Sequence, residues 1–290
     1  MKKSHNTARL PQWLKRPIIT GKNIEYVKKL LTRTGLNTIC FEAKCPNKGE
    51  CFSRKEVTFI IGGKFCTRNC RYCNVEPAHG QPEPLDKNEP SKIAQAIQEL
   101  GLKYVVLTSV TRDDLEDGGA AHFIETVKSI KELSPGTRVE LLIPDFNGNM
   151  DAVYQVCKSG ADVIGHNIEV AGERLFSELR PEGNYQRSHQ VLKFISQHGQ
   201  YCKSGFMTGF GETMNEIENT LHDLAESGVN IVTAGQYLAP AHTHFPVQKY
   251  YSPEEFHQIE KLAIQHGIDN VKCGSFVRSS YLAGDIFFEK

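Results

Sequence analysis

The sequence predicts an α/β fold in which a parallel sheet curls into an open, partial barrel. Two observations carry that prediction. After residue 55, short β-branched runs alternate with amphipathic helical stretches in six successive units, and strand–helix units in series give parallel neighbours joined by right-handed crossovers. Six units also fall short of the eight that close a barrel. A flat, doubly wound sheet is the alternative, and periodicity does not separate the two.

The first strand, 57–61, reads Val-Thr-Phe-Ile-Ile, and the next, 104–108, reads Tyr-Val-Val-Leu-Thr. Further runs at 138–143, 162–168, 201–207 and 230–234 are short and rich in β-branched residues, as strands are. Helical stretches lie between and after them at 91–100, 120–133, 150–159, 188–198, 213–227 and 253–266. Their apolar residues recur at helical spacing, as in Ile217, Leu221 and Leu224. Gly101, Gly160, Gly199 and Gly228 stand just past four of them, where a helix C-terminus favours glycine. Residues 1–55 and 268–290 fall outside this repeat, as an N-terminal extension and a C-terminal segment flanking a barrel over 56–267. Ligands are expected beyond the C-terminal ends of the strands.

Composition narrows the class. At 290 residues, with 39% hydrophobic and 23% charged, the chain can bury a sizeable core, which excludes disordered, collagen-like and coiled-coil classes. Lys+Arg and Asp+Glu balance at 34 each, so no global field argues for nucleic acid or membrane. No apolar run approaches the roughly 20 residues of a membrane span, and no signal or transit peptide is evident, so a cytoplasmic protein is expected. Residues 1–34 nevertheless hold nine Lys/Arg against the single acid Glu25. That segment is either a solvated terminus or a docking patch for an acidic partner.

Cysteine usage is the strongest signal. Six of the nine cysteines fall between Cys40 and Cys73; without a secretory signal, clustered thiols point to metal rather than disulfides. Cys66, Cys70 and Cys73 form a C-x3-C-x2-C loop directly after the first strand. Zinc sites close with four ligands, commonly from distant pairs, and only His79 lies near enough to serve as a fourth. Three thiolates on an iron–sulfur cubane instead leave one iron open for a ligand. Cys40, Cys45 and Cys51, spaced C-x4-C-x5-C in a turn-rich segment, offer a second set of three. Isolated Cys157, Cys202 and Cys273 read as buried structural thiols.

The first loop, with Tyr72 before its last cysteine, resembles the radical S-adenosylmethionine superfamily. The upstream triplet and Arg278-Ser279-Ser280-Tyr281 narrow the resemblance to the lipoyl synthase family. Tyr104-Val-Val-Leu-Thr-Ser-Val-Thr-Arg-Asp-Asp-Leu, Asp117-Gly-Gly, His166-Asn-Ile-Glu, Lys203-Ser-Gly and Gly235-Gln-Tyr-Leu add to it, over about 11 to 282. One departure is Val110-Thr111, where many members carry Val-Asp.

The resemblance implies a partial (β/α)6 barrel of the radical S-adenosylmethionine type carrying two 4Fe-4S clusters. Cys66, Cys70 and Cys73 would hold the cluster that binds and reductively cleaves S-adenosylmethionine. Tyr72, Thr108, Ser109, Asn167, Glu169 and Gly209, the last within Gly205-Phe-Met-Thr-Gly-Phe-Gly-Glu212, would contact that cofactor. Cys40, Cys45 and Cys51, with Ser280 as fourth ligand, would hold an auxiliary cluster that donates sulfur to carbons 6 and 8 of a protein-bound octanoyl group. The implied partners are octanoylated lipoyl carrier domains of 2-oxoacid dehydrogenase acyltransferase subunits and the glycine cleavage carrier protein. Reduced flavodoxin or ferredoxin would donate electrons, and an iron–sulfur carrier would rebuild the spent cluster. An iron–sulfur electron carrier and a methylthiolating enzyme acting on RNA are the rival readings. The first needs less machinery than six βα units, and the second would need a basic nucleic-acid module that 255–290 does not supply.

Overall fold

The computed structural model describes residues 10–288. Its first helix, α1 (Lys22–Thr34), buries Ile24, Val27, Leu30 and Leu31 along one stripe and ends on left-handed Gly35. Two short helices, α2 (Ile39–Glu42) and α3 (Lys48–Ser53), follow and lead into β1 (Thr58–Ile61). The alternating region then runs α4 (Glu89–Leu100), β2 (Tyr104–Ser109), α5 (Ala120–Leu133), β3 (Arg138–Leu142), α6 (Met150–Cys157) and β4 (Val163–Gly165). It continues through β5 (Glu169–Val170), α7 (Glu173–Leu179), α8 (Tyr185–Gln197), β6 (Tyr201–Thr208), α9 (Met214–Glu226) and β7 (Ile231–Gln236). Last come α10 (Pro253–Gln265), β8 (Asn270–Gly274) and α11 (Ala283–Phe288).

Strand order settles the architecture. The sheet runs β1-β2-β3-β4-β6-β7-β8, with β5 paired to β6 off that path, and every pairing is parallel. Each successive strand on that path joins the same growing edge, without the reversal of a doubly wound sheet. The path does not return from β8 to β1, so the barrel is open.

Two details differ from the sequence reading. The run at 162–168 breaks after Gly165 and resumes only as the two-residue β5. The C-terminal segment also does not lie wholly outside the repeat. Its residues 270–274 pair with β7 as a further strand, Ile231 facing Asn270 and Gly235 facing Gly274. Asn-Val-Lys-Cys-Gly carries too few apolar residues to read as a strand, because β8 is a half-buried edge.

The main core lies between sheet and helices. Val105, Leu107, Val139, Leu141, Cys202 and Val232 from alternate strand positions pack there with Phe123, Val127, Leu192 and Leu221 from the helices. Cys157 and Cys202 are buried, and the Cys202 thiol donates to the Leu192 carbonyl at 3.4 Å. The intervening strand positions face the other way, into the barrel, and several are polar. There the Lys203 ammonium meets Glu140 at 2.7 Å, and the Tyr104 hydroxyl donates to the same carboxylate at 2.6 Å. Burying this pair is costly unless every charge is bonded, and here both partners are.

Candidate active site

The first triplet hangs from the C-terminal end of β1. Gly62 and Gly63 take φ values of 84° and 103°, a left-handed turn that glycine adopts without strain. The turn is held from both sides. The Gly62 N–H donates to Glu89 at 2.9 Å, a carboxylate also bonded to His122 at 2.6 Å, and Arg112 donates to the Gly62 carbonyl at 2.9 Å. The loop then folds back, with the Cys66 N–H on the Glu76 carbonyl and the Ala78 N–H on the Cys66 carbonyl. Burial pushes the Cys73 thiol up to about 12, and the neighbouring thiols add to the effect. Cys70 is also raised by burial, against the pull of Arg180 and a hydrogen bond from Tyr72. Thiols so placed ionise only when a cation joins them, which is the donor chemistry that an iron–sulfur cluster completes.

The strand ends beside this loop carry the other residues singled out from sequence. Thr108 and Ser109 stand opposite Ile60 and Ile61, the last residues of β1. Tyr72 packs against Phe210 with ring centroids 5.9 Å apart. Glu169 holds a left-handed φ of 68°, a strained backbone of the kind that clusters at functional sites. Burial raises its carboxyl, while Arg180 and the Asn167 side chain pull it back. Gly209 has φ 108°, and a Cβ there would lie 2.3 Å from Gln236 Nε2, so the turn itself demands glycine. Glu212 accepts the Gly209 and Phe210 N–H groups at 2.6 and 2.8 Å, fixing that turn.

The sequence reading missed Arg180. Its guanidinium lies over the Phe176 ring at 4.6 Å and donates weakly to the Asn167 and Ile168 carbonyls. Nothing local marks it, since its charge matters only beside Glu169, Tyr72 and Cys70 in the folded chain. Arg180 Nε, Ser109 Oγ and Thr208 Oγ1 are buried polar atoms without a hydrogen-bond partner. Unpaired buried donors are costly, and here they suit a polar ligand such as an amino-acid nucleoside.

The second triplet lies toward the other end of β1. Cys40, Cys45, Cys51, Arg278 and Ser280 line one cavity of about 350 Å³, which Thr58 and Val106 also border. From Thr58 to Ile61 the strand rises only ~10 Å, so the two thiol sets stand near opposite ends of one short strand. Several contacts tie the C-terminal segment to the N-terminal extension, Arg54 pairing with Asp285 among them. Asn47 Nδ2 donates to the Phe276 carbonyl at 2.6 Å, the Tyr281 hydroxyl donates to Glu50 at 3.0 Å, and Arg16 lies 3.9 Å over the Phe276 ring. On the barrel side, Ser279 Oγ donates to Asn167 Oδ1 at 3.2 Å. Burial pushes Cys40 up to about 12 and Cys51 higher still, each with a contribution from Cys45. Burial also lowers Arg278, against the pull of Cys45. These three thiols, with the Ser280 oxygen beside them, form a donor set that fits an iron–sulfur cluster. Among the described residues, no group of three or more His, Cys, Asp or Glu closes around a single metal ion.

Comparison with known proteins decides the family. Residues 60–224 match the radical SAM superfamily, and residues 1–45 match the N-terminal domain of lipoyl synthase of that family. The lipoyl synthase of Caldicellulosiruptor saccharolyticus is 48% identical over 94% of this chain and 95% of its own. This chain belongs to the lipoyl synthase family. A second lipoyl synthase, from Alkaliphilus metalliredigens, is 46% identical over 97% of this chain and 96% of its own. Among solved structures, methylornithine synthase (PylB) shares the fold, with a TM-score of 0.57 at 16% identity over 86% of this chain and 72% of that one. As a lipoyl synthase the chain is a radical S-adenosylmethionine enzyme with iron–sulfur centres. No helix among the described residues is long and apolar enough to cross a membrane.

Proposed function

We propose that this lipoyl synthase inserts sulfur at carbons 6 and 8 of an octanoyl-lysine displayed on a lipoyl carrier domain. The observation that carries the reading is the pair of thiol triplets near opposite ends of β1, with Ser280 bordering the cavity of the second. Cys66, Cys70 and Cys73 would hold the radical cluster, and Cys40, Cys45, Cys51 and Ser280 the auxiliary one, both as 4Fe-4S. When bound, S-adenosylmethionine on the first cluster supplies a 5′-deoxyadenosyl radical that removes hydrogen from an unactivated carbon. The auxiliary cluster is a substrate, consumed as the source of sulfur.

The remaining roles belong to side chains. Glu169, with Asn167 beside it, would take the ribose hydroxyls, Thr108 and Ser109 would contact the methionine portion, and Tyr72 and Gly209 would border the same cofactor. Arg180, with its unpaired Nε, suits an anionic oxygen of the ligand. A serine oxygen is a weaker ligand for iron than a thiolate, so Ser280 suits a site that must be dismantled. The same reading divides the chain into an auxiliary-cluster extension (1–55), the barrel (56–267) and a closing segment (268–290) whose β8 completes the sheet. It places the enzyme in the cytoplasm, with carrier domains of 2-oxoacid dehydrogenase acyltransferase subunits and the glycine cleavage protein as substrates. Reduced flavodoxin or ferredoxin serves as electron donor and an iron–sulfur carrier rebuilds the cluster, with no nucleic-acid or membrane partner.

The test uses anaerobically prepared holoenzyme. About eight irons per chain are expected for two cubanes, with lipoyl product formed from an octanoylated carrier domain. Cys66→Ala, Cys70→Ala and Cys73→Ala should abolish 5′-deoxyadenosine formation. Cys40→Ala, Cys45→Ala and Cys51→Ala should retain it while making no lipoyl product. Equal loss of cofactor cleavage in both sets would defeat the two-site reading.

A further inference from the structure

Within the C-x3-C-x2-C loop, one residue that is not a cysteine is buried and paired with two carboxylates. Arg68 is 5% exposed. Its guanidinium grips Asp113 with two parallel bonds, Nε to Oδ2 at 2.8 Å and Nη2 to Oδ1 at 2.9 Å, and reaches Asp145 at 2.6 Å. Asp145 is in turn held by Arg187 from α8 at 2.8 Å. The two arginines and two carboxylates cancel in charge, so the group acts on its surroundings through geometry more than through net field.

That geometry converges on one sulfur. Cys66 Sγ accepts two backbone N–H groups, from Arg68 and from Thr111, each at 3.4 Å. The two donors sit on the two segments that the Arg68–Asp113 grip joins. Thr67 reinforces the joint: its N–H and hydroxyl both donate to the Thr111 carbonyl, and the Asp113 N–H donates to its hydroxyl. Neither donor distance can lengthen much while the grip holds.

We propose that Arg68, through Asp113, is a positioning residue that sets the two N–H···S bonds on Cys66 and so tunes the reduction potential of the radical cluster. The proposal rests on Cys66 being a ligand of that cluster. Hydrogen bonds to ligand sulfurs favour the more negative, reduced form and raise the potential. Loosening the Arg68–Asp113 grip leaves Thr67 alone to hold the 111–113 segment, lengthens the bond from Thr111 and makes the cluster harder to reduce.

The test is a potentiometric titration of the anaerobic holoenzyme, followed by electron paramagnetic resonance, with iron counted per chain. Arg68→Lys keeps the charge but not the two-pronged fork, and Asp113→Asn keeps the shape but weakens the grip. Both are expected to hold wild-type iron and to shift the radical-cluster potential to more negative values. Cofactor cleavage should slow several-fold with a protein electron donor and recover with excess dithionite. Arg71→Gln, in the same loop but exposed and paired with Glu178, should leave the potential unchanged. Wild-type potentials in both Arg68→Lys and Asp113→Asn at full iron would overturn the proposal. A loss of iron in either variant, with an unshifted potential in the loaded fraction, would reduce Arg68 to a structural role and overturn it as well. If Cys66→Ala retained the full radical-cluster signal, the ligand reading itself would fail, an outcome distinct from both.

Discussion

Gly235→Ala offers a direct probe of the C-terminal segment, because the obstacle it creates is backbone. A Cβ on Gly235 would lie 2.0 Å from the Val277 carbonyl oxygen and 3.0 Å from Arg278 Nη1. Real contacts of this kind essentially never fall below 3.0 Å, so residues 277 and 278 must retreat by at least ~1 Å. Overpacking of this sort costs about 1–3 kcal/mol. The functional cost should be larger, because Ser280 follows two residues later and a 1 Å misplacement of a reacting group costs on the order of 10²-fold. With octanoylated carrier domain, lipoyl product should therefore fall by roughly two orders of magnitude. Formation of 5′-deoxyadenosine should fall less than lipoyl product, because the segment reaches the strand-end residues through the single Ser279–Asn167 bond. Gly136→Ala is the control, since its Cβ meets nothing within 4 Å and its φ is ordinary. Wild-type lipoyl yield in Gly235→Ala would refute the claim that this segment positions the second site.

Two further outcomes follow. His166 is buried with its ring nitrogens on the Ile143 carbonyl at 2.9 Å and Ser188 Oγ at 3.0 Å, and burial pushes its pKa down to about 4 from 6.5. The unfolded chain therefore takes up a proton below pH 6.5 that the folded chain refuses until about pH 4, so stability falls as pH falls through that window. From pH 7.5 to 5.5 the loss should be about 1 kcal/mol, read as a denaturation midpoint that moves less with pH in His166→Gln; equal slopes would count against it. On the basic segment, Lys2, Lys3 and Arg9 lie outside the described residues. Arg16, Lys28 and Arg33 pair with Glu50, Glu25 and Glu99, while Lys15, Lys22 and Lys29 have no ion pair among the described residues. Reversing those three should slow turnover of an intact acidic carrier domain several-fold and a short octanoyl-lysine peptide much less. Added salt should shrink the difference, given screening over about 8 Å at physiological ionic strength.

What was legible in the sequence was whatever is local. The cysteine spacings and the strand–helix alternation lie within a few residues of themselves, so the parallel strand–helix repeat and both triplets could be read directly, whereas only the strand order separates the open barrel from a flat sheet. The stripe Ile24, Val27, Leu30 and Leu31 of α1 has helical spacing too, masked by the interleaved Lys22, Lys28, Lys29 and Arg33. β8 escaped because an edge strand needs few apolar residues to pair. Arg68 and Arg180 escaped for a different reason. Arg68 meets Asp113 and Asp145 across 45 and 77 residues, and Arg180 gains meaning only beside Glu169 and Tyr72. A pairing that exists only after the barrel forms leaves no spacing to read.

The same distinction bears on how the second site is assembled. Cys40, Cys45 and Cys51 belong to one short segment, but Ser280 comes from the far end of the chain. Asn47 and Phe276 meet across 229 residues, and Glu50 and Tyr281 across 231. Contacts at such separation carry a large loop-closure cost unless the intervening chain is already ordered. Here the barrel provides that order. Pairing of β8 with β7 delivers residues 276–281 past Gly235, where only a glycine leaves room, to a position between Asn167 and the N-terminal extension. The three thiols can therefore gather locally, whereas Ser280, the proposed oxygen ligand, arrives only when the sheet is complete to its last strand. A chain lacking β8 should still present both cysteine triplets, but it would lack the segment that joins the cavity of the second to Asn167 on the barrel side.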